Sequence, residues 1–365
     1  MKRLLYVISS LSDTGPVKVL LNIIRHLDRK KYEVHLLALS VAKENDLSSV
    51  FKSFGVNVCV LNISRSRMFL EGRKVLSKFV QDIKPDIVHT QCFRSTIFMK
   101  HFAADVNLCT TIHCIFYQDF VFTYGQVMGR VMTWMYANAL KKYDKCITCS
   151  ESVERLLSEK YALSFEHVRN GIQIPTIEHV KGFSALAKKR VALGVPENKT
   201  VFVCTGVVCT RKNQTQILRC LRKIDNICVV FLGNGPDYEN LRREAPGNAL
   251  FLGNVSNVYE YLSIADGFVS AAFSEGMPNA VLEALMMGLP CLLSDIEPHQ
   301  EIKKSYPEAC YLYEVANDEK LTTAFCKVIG DGAGFAQHEK ISSVSRKLFS
   351  SEIMSREYQD IYEKL

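Results

Sequence analysis

Short strand-like runs alternate with helix-like stretches along the chain, and this alternation limits the folds that the sequence can adopt. In the first half, runs rich in Val, Ile, Leu and aromatic residues lie at 4–10, 32–40, 56–63, 86–91, 110–115 and 145–150. Apolar residues at helical spacing lie between them, as in VKVLLNIIRHL at 17–27. Continuous apolar strands separated by helices are typical of parallel sheets covered on both faces. The pattern therefore predicts an α/β fold.

The alternation lapses after the run HVRNGIQIP and then starts again. Residues 176–199 have the character of a linker and a lead-in helix, and strand-like runs return at 200–207, 227–235, 249–255, 266–272, 290–295 and 311–314. We expect two doubly wound, Rossmann-like domains facing each other across a cleft, the first at 1–175 and the second at 183–348. The last stretch, 350–365, has one apolar helical stripe and is expected to pack back on the first domain. Ligands of such sheets bind at the carboxyl ends of the strands.

Composition narrows the class of protein. The chain has 365 residues, of which 48% are hydrophobic and 23% charged, a balance that excludes a collagen-like repeat, an acidic disordered tail and a polytopic membrane protein. No apolar run approaches the ~20 residues that cross a bilayer, and the start MKRLLYVISS is better explained as a first strand than as a signal peptide. The 13 cysteines form no disulfide framework, which fits a reducing compartment. We therefore expect a cytoplasmic protein.

One segment, SEGMPNAVLEALMMGLPCLLSD at 274–295, carries the most specific chemical pattern. It predicts a loop followed by a helix over 280–287, with Pro278 in the first turn. The free N–H groups and the dipole of such a helix N-terminus favour a phosphate. Glu275 and Glu283 are eight residues apart and can face the same cavity, where carboxylates suit the vicinal hydroxyls of a sugar or ribose. The alternative is an ordinary acidic residue before a helix and an exposed helical Glu.

The run E-G-M-P-N-A-V-L-E-A-L resembles the E-x7-E signature of the retaining, nucleotide-sugar-dependent glycosyltransferases of family 4, which have the GT-B fold. The segments ISSLSDTGPVKVLLNII, TTIHCIF, VRNGIQIP and CTGVVCTRKNQTQIL agree with that family in order and spacing. The resemblance covers essentially the whole chain. It implies transfer of a hexose or an N-acetylhexosamine from a nucleotide-sugar, with UDP as the expected nucleotide and retention of the anomeric configuration.

The resemblance also implies residue roles. Glu275, with the backbone of 276–279, would hold the donor sugar and its β-phosphate, Glu283 would accept from the ribose hydroxyls, and Lys212 would bind the pyrophosphate. His113 would lie near the donor sugar, the alternative being an ordinary histidine in a strand. The implied catalytic residues are Glu275, His113 and Lys212, and the implied donor-binding residues are Gly15, Arg211, Lys212, Gly276, Met277, Pro278, Asn279 and Glu283.

Two positions depart from the family's pattern. The first loop has Gly15-Pro16 where the family often has two glycines; Gly15 would allow close approach to the diphosphate, but the proline removes one N–H group. Val207 stands where the family often has an arginine, and Arg211 is the candidate to supply that charge. These departures keep open a GT-B protein that binds nucleotide or glycan with little catalysis.

No metal and no cofactor other than the donor is expected. The chain has no D-x-D motif, so positive charge and a helix dipole would have to hold the diphosphate, in agreement with the metal independence of the GT-B group. The glycines in GNG at 233–235 do not complete a dinucleotide-binding motif, because position 238 is Tyr.

The formal net charge of +7 is divided unequally, with +9 in residues 1–175 and −2 in residues 176–365. Basic segments lie at 25–31, 65–74 and 141–145, and the second interleaves charge with Met68, Phe69 and Leu70. They fit either an anionic inner-membrane surface, with peripheral attachment to the cytoplasmic face, or solvated helix faces. The expected acceptor is a lipid-linked glycan or a lipopolysaccharide or capsule glycan. A soluble acceptor is the alternative, and nucleic acid is not expected. The aromatic run at 115–125 fits an acceptor-side lining or core.

Overall fold

The structure, a computed structural model, describes residues 1–42, 45–61, 63, 65–331 and 335–365. Position 62, in the third predicted strand, and residues 332–334, in the second predicted domain, lie outside this part of the chain. The strands are β1 Lys2–Ile8, β2 Tyr32–Ala38, β3 Asn57–Val60, β4 Ile87–Gln91, β5 Asn107–Ile112, β6 Lys145–Thr148, β7 Glu166–His167, β8 Thr200–Thr205, β9 Ile227–Leu232, β10 Ala249–Gly253, β11 Gly267–Ser270, β12 Cys291–Ser294 and β13 Cys310–Tyr313.

The helices lie between these strands, as the alternation predicts. They are α1 Gly15–Arg25, α2 Ser48–Ser53, α3 Arg65–Ile83, α4 Phe93–Met99, α5 Phe116–Tyr124, α6 Gln126–Leu140, α7 Glu151–Lys160, α8 Phe183–Ala192, α9 Gln214–Leu221, α10 Tyr238–Glu244, α11 Val258–Leu262, α12 Asn279–Met286, α13 Glu297–Ser305, α14 Asp318–Asp331, α15 Phe335–Leu348 and α16 Ser351–Glu363. Each strand predicted from the sequence is confirmed within a few residues. The two-residue strand β7 was not predicted.

The chain divides into two compact units, Met1–Gly171 with Ser351–Leu365, and Ile172–Ser350. The first division falls four residues before the predicted end at 175. Ile172 already belongs to the second unit because its N–H donates to the Phe349 carbonyl over 2.8 Å. The predicted linker also runs along the second unit, where the Val180 N–H donates to the Ser263 carbonyl over 2.9 Å.

Both sheets are parallel and doubly wound. The first unit has the order β3-β2-β1-β4-β5-β6-β7, and the second has β10-β9-β8-β11-β12-β13. The order reverses between β1 and β4 in the first sheet and between β8 and β11 in the second. At such a reversal the connecting helices leave to opposite faces, so the loops at the carboxyl ends separate and open a crevice. The predicted α/β class with two Rossmann-like sheets is confirmed.

Apolar side chains of the sheets and helices form the core of each unit. In the first unit, α16 packs beside α1 on the sheet, and Met354, Tyr358, Ile361 and Tyr362 are all nearly inaccessible to solvent. These residues recur at helical spacing, so one face of α16 is apolar and aromatic. In the second unit, α9 and α14 cover one face of the sheet around Phe202, Phe231 and Phe325.

Candidate active site

The loops after β8 and β11 meet where the strand order reverses in the second unit. Arg211 and Lys212 lie in a short 3₁₀ turn, Thr210–Lys212, which follows β8, and Glu275 lies in the loop after β11. The two loops are joined through the backbone, because the Phe273 N–H donates to the Arg211 carbonyl over 2.9 Å. Sequence-distant site residues are thereby brought together at the edge where this class of sheet binds its ligands.

Glycines allow the loop after β9 to pack directly on the loop after β8. A Cβ on Gly233 would lie 2.0 Å from the Gly206 carbonyl oxygen, and one on Gly235 would lie 2.2 Å from that of Val208. Gly206 itself has a φ of +128°, which a side chain rarely permits. The GNG sequence at 233–235 therefore has a packing reason: it lets two loops at the site approach to backbone contact.

A buried carboxylate and two cations form the centre of this site. Lys212 Nζ makes an ion pair and hydrogen bond with Glu275 Oε1. Arg211 Nη1 lies 3.4 Å from Glu275 Oε2 and donates to the Ser274 carbonyl over 2.6 Å. The side chain of Glu275 is only 8% exposed, against 17% for Lys212 and 22% for Arg211. The predicted residues Glu275, Lys212 and Arg211 are in direct contact.

The two cations keep this buried carboxylate ionised. Burial by itself raises the pKa of Glu275, but the charges of Lys212 and Arg211 outweigh it and hold the pKa below its ordinary value. Val207, where the family often has an arginine, is about half exposed. Arg211 therefore supplies a second positive charge to the carboxylate from four residues further along the chain.

The loop that carries Glu275 continues into α12. Gly276, Met277 and Pro278 are buried in this loop, and the helix begins at Asn279 with Pro278 as its N-cap, rather than in its first turn as the sequence suggested. No acidic residue occupies the first turn, so no side-chain charge of that turn neutralises the positive end of the helix dipole, which favours an anion. Glu283 lies one turn after Asn279 and is partly exposed.

The other end of α12 stops sharply at Gly288, which has a φ of +86°. Its N–H donates to the Leu285 carbonyl and the N–H of Leu289 donates to that of Ala284, each over 3.0 Å, as in a Schellman motif. A Cβ on Gly288 would also lie 2.2 Å from the His338 carbonyl oxygen. This termination fixes the length of α12 and so the position of its N-terminus.

His299, at the start of α13, is a residue that the sequence reasoning missed. It is fully buried, and its Nδ1 donates to the Ser294 carbonyl over 2.8 Å, which leaves Nε2 as an acceptor. Among the described residues this Nε2 has no hydrogen-bond partner. Burial lowers the pKa of His299 to about 4, opposed by the negative charge of Glu275. The ring is thus neutral and close enough to Glu275 to interact with it electrostatically.

In the first unit, His113 follows β5 and ends a buried hydrogen-bonded network. Its Nε2 donates to Gln91 Oε1 over 2.6 Å, and the Gln91 amide donates to His89 Nε2 over 3.1 Å. His89 Nδ1 in turn donates to the Tyr362 hydroxyl over 2.6 Å, and the Tyr6 and Tyr362 hydroxyls are 3.0 Å apart. The network thus reaches from His113 to the last helix, α16.

This network fixes the ring of His113 in one tautomer. Because the Gln91 oxygen can only accept, the proton of His113 is on Nε2, and its Nδ1 presents a lone pair. Burial lowers the pKa of His113 to about 4 and that of His89 to about 3, so both rings are neutral near pH 7. His113 is partly exposed, and it can therefore accept a hydrogen bond from a hydroxyl of a bound molecule.

Gly15 is the first residue of α1 and is exposed. It directly follows the loop after β1, and β1 is one of the two strands at the reversal in the first sheet. Thr14 is the N-cap and makes no side-chain cap hydrogen bond, and Pro16 lies in the first turn. The helix therefore offers N–H groups to an anion with one fewer donor than a glycine pair would give.

Comparison with known proteins decides the family. The model of Glycosyltransferase Family 4 matches residues 14–174, and that of Glycosyl transferases group 1 matches residues 187–347. This chain is a family 4 glycosyltransferase. The matched regions together span most of both units and contain each of the predicted site residues. Membership of the family establishes the chain as a transferase enzyme.

Relatives and solved structures extend the comparison over the full length. The O-antigen biosynthesis glycosyltransferase WclY of Escherichia coli is 22% identical over 100% of this chain and 98% of that protein. The UDP-Gal:alpha-D-GlcNAc-diphosphoundecaprenol alpha-1,3-galactosyltransferase of the same species is 23% identical over 87% of this chain and 85% of that protein.

Among structures, Anabaena Alr3699/HepE in complex with UDP and glucose aligns with a TM-score of 0.82 at 14% identity, covering 100% of both chains. Sucrose-phosphate synthase from Thermosynechococcus elongatus has the same TM-score at 15% identity, over 100% of this chain and 99% of that one. These likenesses establish the two-domain GT-B fold. None of the described helices of this chain combines the length and apolar character needed to span a membrane.

Proposed function

We propose that this glycosyltransferase moves a hexose or an N-acetylhexosamine from a UDP-sugar to a lipid-linked glycan, in the synthesis of a lipopolysaccharide or O-antigen type polysaccharide, with retention of configuration. One observation carries the proposal: an ionised, buried Glu275 in contact with Lys212 and Arg211, beside the N-terminus of α12. The relative that acts as a UDP-Gal:alpha-D-GlcNAc-diphosphoundecaprenol galactosyltransferase and the complex of HepE with UDP support the choice of donor and acceptor.

The arrangement suits the departure of a nucleoside diphosphate. As the bond to the sugar breaks, negative charge grows on the diphosphate, and preformed positive charge that requires no reorganisation stabilises it. Lys212, Arg211 and the positive end of the α12 dipole supply the positive charge for this at the β8–β11 edge. Lys212 is neutralised by Glu275, so that neither charge is left buried and unpaired.

Glu275 would bind the sugar rather than attack it. A carboxylate held by two cations is a weak base and a good acceptor, which fits hydrogen bonds from two sugar hydroxyls. In the first unit, His113 Nδ1 would accept a hydrogen bond from a hydroxyl of a bound molecule, because the tautomer of His113 is set by Gln91. We propose front-face displacement, in which the departing phosphate oxygen takes the proton of the acceptor hydroxyl. No metal ion is required in this scheme, since the cations and the helix dipole supply the positive charge.

The donor is tested by a thermal-stabilisation screen of UDP-, GDP-, ADP- and dTDP-sugars. A ligand at 100 times its dissociation constant stabilises the folded state by ~2.7 kcal/mol, and we expect this from UDP-sugars. Lys212→Ala should abolish most of the shift, whereas Lys223→Ala, an exposed lysine of the same unit, should keep it. If only sugars of another nucleotide stabilised the protein, that nucleotide would replace UDP as the proposed donor. If none of the nucleotide-sugars stabilised it, the proposed donor site would be wrong.

The reaction is tested with the stabilising donor and a glycan diphospho-lipid acceptor. We expect transfer that is unchanged by EDTA, and a product whose anomeric coupling constant shows the configuration of the donor. Loss of activity on addition of EDTA would contradict the proposed metal independence. Inversion of the anomeric configuration would contradict front-face displacement. Transfer to a water-soluble sugar at the same rate as to the lipid-linked acceptor would favour the soluble-acceptor alternative.

A further inference from the structure

Exposed apolar side chains are concentrated on one hairpin of the first unit. Isolated exposed apolar residues are ordinary on protein surfaces, but a contiguous group marks an interaction surface. The hairpin of α5 and α6 exposes six large ones, from 47% to 81% of their area; they are Phe122, Tyr124, Val127, Met128, Val131 and Trp134. We call this group the hairpin face.

The hairpin face is held by tight packing on its inner side. A Cβ on Gly129 of α6 would lie 2.6 Å from the Phe120 carbonyl oxygen of α5, so the two helices are in backbone contact. Phe116 of α5 and Tyr136 of α6 are buried with their ring centroids 5.0 Å apart. Because the inner side already forms part of the core, the outer side chains cannot turn inward.

Positive charge borders the hairpin face and a cavity beside it. The cavity has a volume of about 1030 Å³; Phe122 and Trp134 belong to its wall, with Arg130, Lys141 and Lys160. Of the described residues that line this cavity none is acidic. Lys160 Nζ lies 4.0 Å above the ring of Tyr117, which holds one cation at the cavity wall.

We propose that the hairpin face seats the protein on the surface of an anionic bilayer. Trp and Tyr prefer the boundary between headgroups and acyl chains, and cations beside them gain from anionic lipid phosphates. The surface would bring the enzyme to a lipid-linked acceptor, so the inference rests on the proposed function. A symmetric dimer through the same face is disfavoured, because it would place Arg130, Lys141 and Lys160 of both copies in one interface, and the described lining of the cavity there offers no acidic partner.

The proposed membrane-binding surface differs from the one suggested by the basic segments of the sequence. In the segment at 65–74, Met68 is buried in the core, although Leu70 is 87% exposed. The side chain of Phe69 lies outside the described residues. That helix, α3, thus presents fewer apolar side chains than composition implies. The basic segment that begins at Lys141 contributes that lysine to the wall of the cavity beside the hairpin face.

The unmodified protein carries its own probe, since Trp134 is the single tryptophan of the chain. We expect its fluorescence to move to shorter wavelength on addition of phosphatidylcholine vesicles containing one third phosphatidylglycerol, and to be quenched by brominated acyl chains. Vesicles of phosphatidylcholine alone should give a weaker change. No shift with anionic vesicles at low salt would overturn the proposal, and a shift produced by raising the protein concentration without vesicles would indicate a second copy instead.

Co-sedimentation with the same vesicles separates the apolar and charged contributions. Val127→Ser with Met128→Ser should reduce binding tenfold or more, and Arg130→Gln should reduce it about fivefold, as one cation near an anionic surface contributes ~1 kcal/mol. The matched controls are Leu70→Ser, exposed on α3, and Arg242→Gln, exposed on α10 in the other unit. Equal effects of variants and controls would remove the assignment to this face.

Donor binding distinguishes failure of this inference from failure of the proposed function. Hairpin variants should keep the thermal shift caused by UDP-sugars and lose transfer only to acceptors embedded in vesicles. If UDP-sugars bind but the fluorescence of Trp134 does not change with vesicles, the proposed docking surface is wrong and the proposed function is retained. If Trp134 responds but no nucleotide-sugar binds, the function is wrong and the surface is retained.

Discussion

The two units hold their site residues by different forces. His113 in the first unit is positioned by neutral groups, Gln91, His89 and Tyr362, which share hydrogen bonds out of contact with water. Glu275 in the second unit is positioned by ion pairs to cations that remain partly exposed. A neutral network is indifferent to salt but fails when one member gains a proton. An ion cluster tolerates mild acid but depends on each charge having its partner.

The largest expected effect comes from removing the carboxylate of Glu275 in the second unit. Glu275→Ala leaves Lys212 and Arg211 without their counter-charge and takes two hydroxyl acceptors from the sugar. We expect kcat/KM for transfer to fall about 10²–10³-fold, or ~3–4 kcal/mol, the cost of losing one preorganised polar group at a reacting centre. UDP alone should still bind, because both cations remain. Glu239→Ala, an exposed carboxylate of α10, is the control, and activity within threefold of wild type would contradict the assignment.

Acid should weaken the neutral network before it affects the ion cluster. The pKa of His89 is lowered to about 3 in the folded protein and is about 6.5 in an unfolded chain. Its contribution is therefore complete above pH 6.5 and is lost as the pH falls toward 3, because the unfolded state takes up the proton first. Between pH 7 and pH 5 the free energy of unfolding falls by about 2 kcal/mol because of one such histidine.

Urea unfolding followed by Trp134, which lies in the first unit, measures that loss. The difference in unfolding free energy between pH 7 and pH 5 should be about 2 kcal/mol smaller in His89→Gln than in the wild type. Thr123→Ala, a substitution of an exposed residue of the same unit that carries no titratable group, should behave as the wild type does. Identical pH dependence in all three proteins would show that His89 is not buried in its neutral form.

The fold was largely predictable because strands and helices leave periodic patterns. Continuous apolar runs predicted the strands of both sheets, and the spacing of Met354, Tyr358, Ile361 and Tyr362 predicted the buried face of α16. The E-x7-E segment drew attention to Glu275 and to the helix after it. Contact of Glu275 with Lys212 and Arg211 follows from strand order, since β8 and β11 are neighbours at the reversal.

Other parts of the site leave no local pattern. The strand β4 ends in His89, Thr90 and Gln91, which are polar yet fully buried, and their role depends on partners in β5 and α16 that are distant in sequence. His299 could have been suspected only from its place five residues after the carboxyl end of β12. The sequence showed only that the glycines at 233 and 235 do not complete a dinucleotide-binding motif, and close backbone packing on the neighbouring loop explains them.

A smaller effect is expected from removing a single hydroxyl of the neutral network. Tyr362→Phe leaves His89 Nδ1 with an N–H group and no acceptor, and this should lower the unfolding free energy by about 1–2 kcal/mol. Tyr32→Phe is the matched control. The Tyr32 hydroxyl lies 3.4 Å from the Gln359 carbonyl, so its removal should change the unfolding free energy little. Urea unfolding should show a difference that salt does not alter. Equal stability of the two variants would mean that the Tyr362 hydroxyl does not support His89.

The smallest effect should come from exchanging one cation for another in the ion cluster. Arg211 reaches two acceptors with one nitrogen, the Ser274 carbonyl and Glu275, and Lys212 already neutralises the carboxylate. Arg211→Lys keeps the charge but loses the planar fork, so we expect kcat/KM to fall about threefold to tenfold, below ~1.4 kcal/mol. Arg211→Gln should cost more, because it also removes the charge. If both variants were equal, geometry rather than charge would be the contribution of Arg211, and Lys212 alone would balance Glu275.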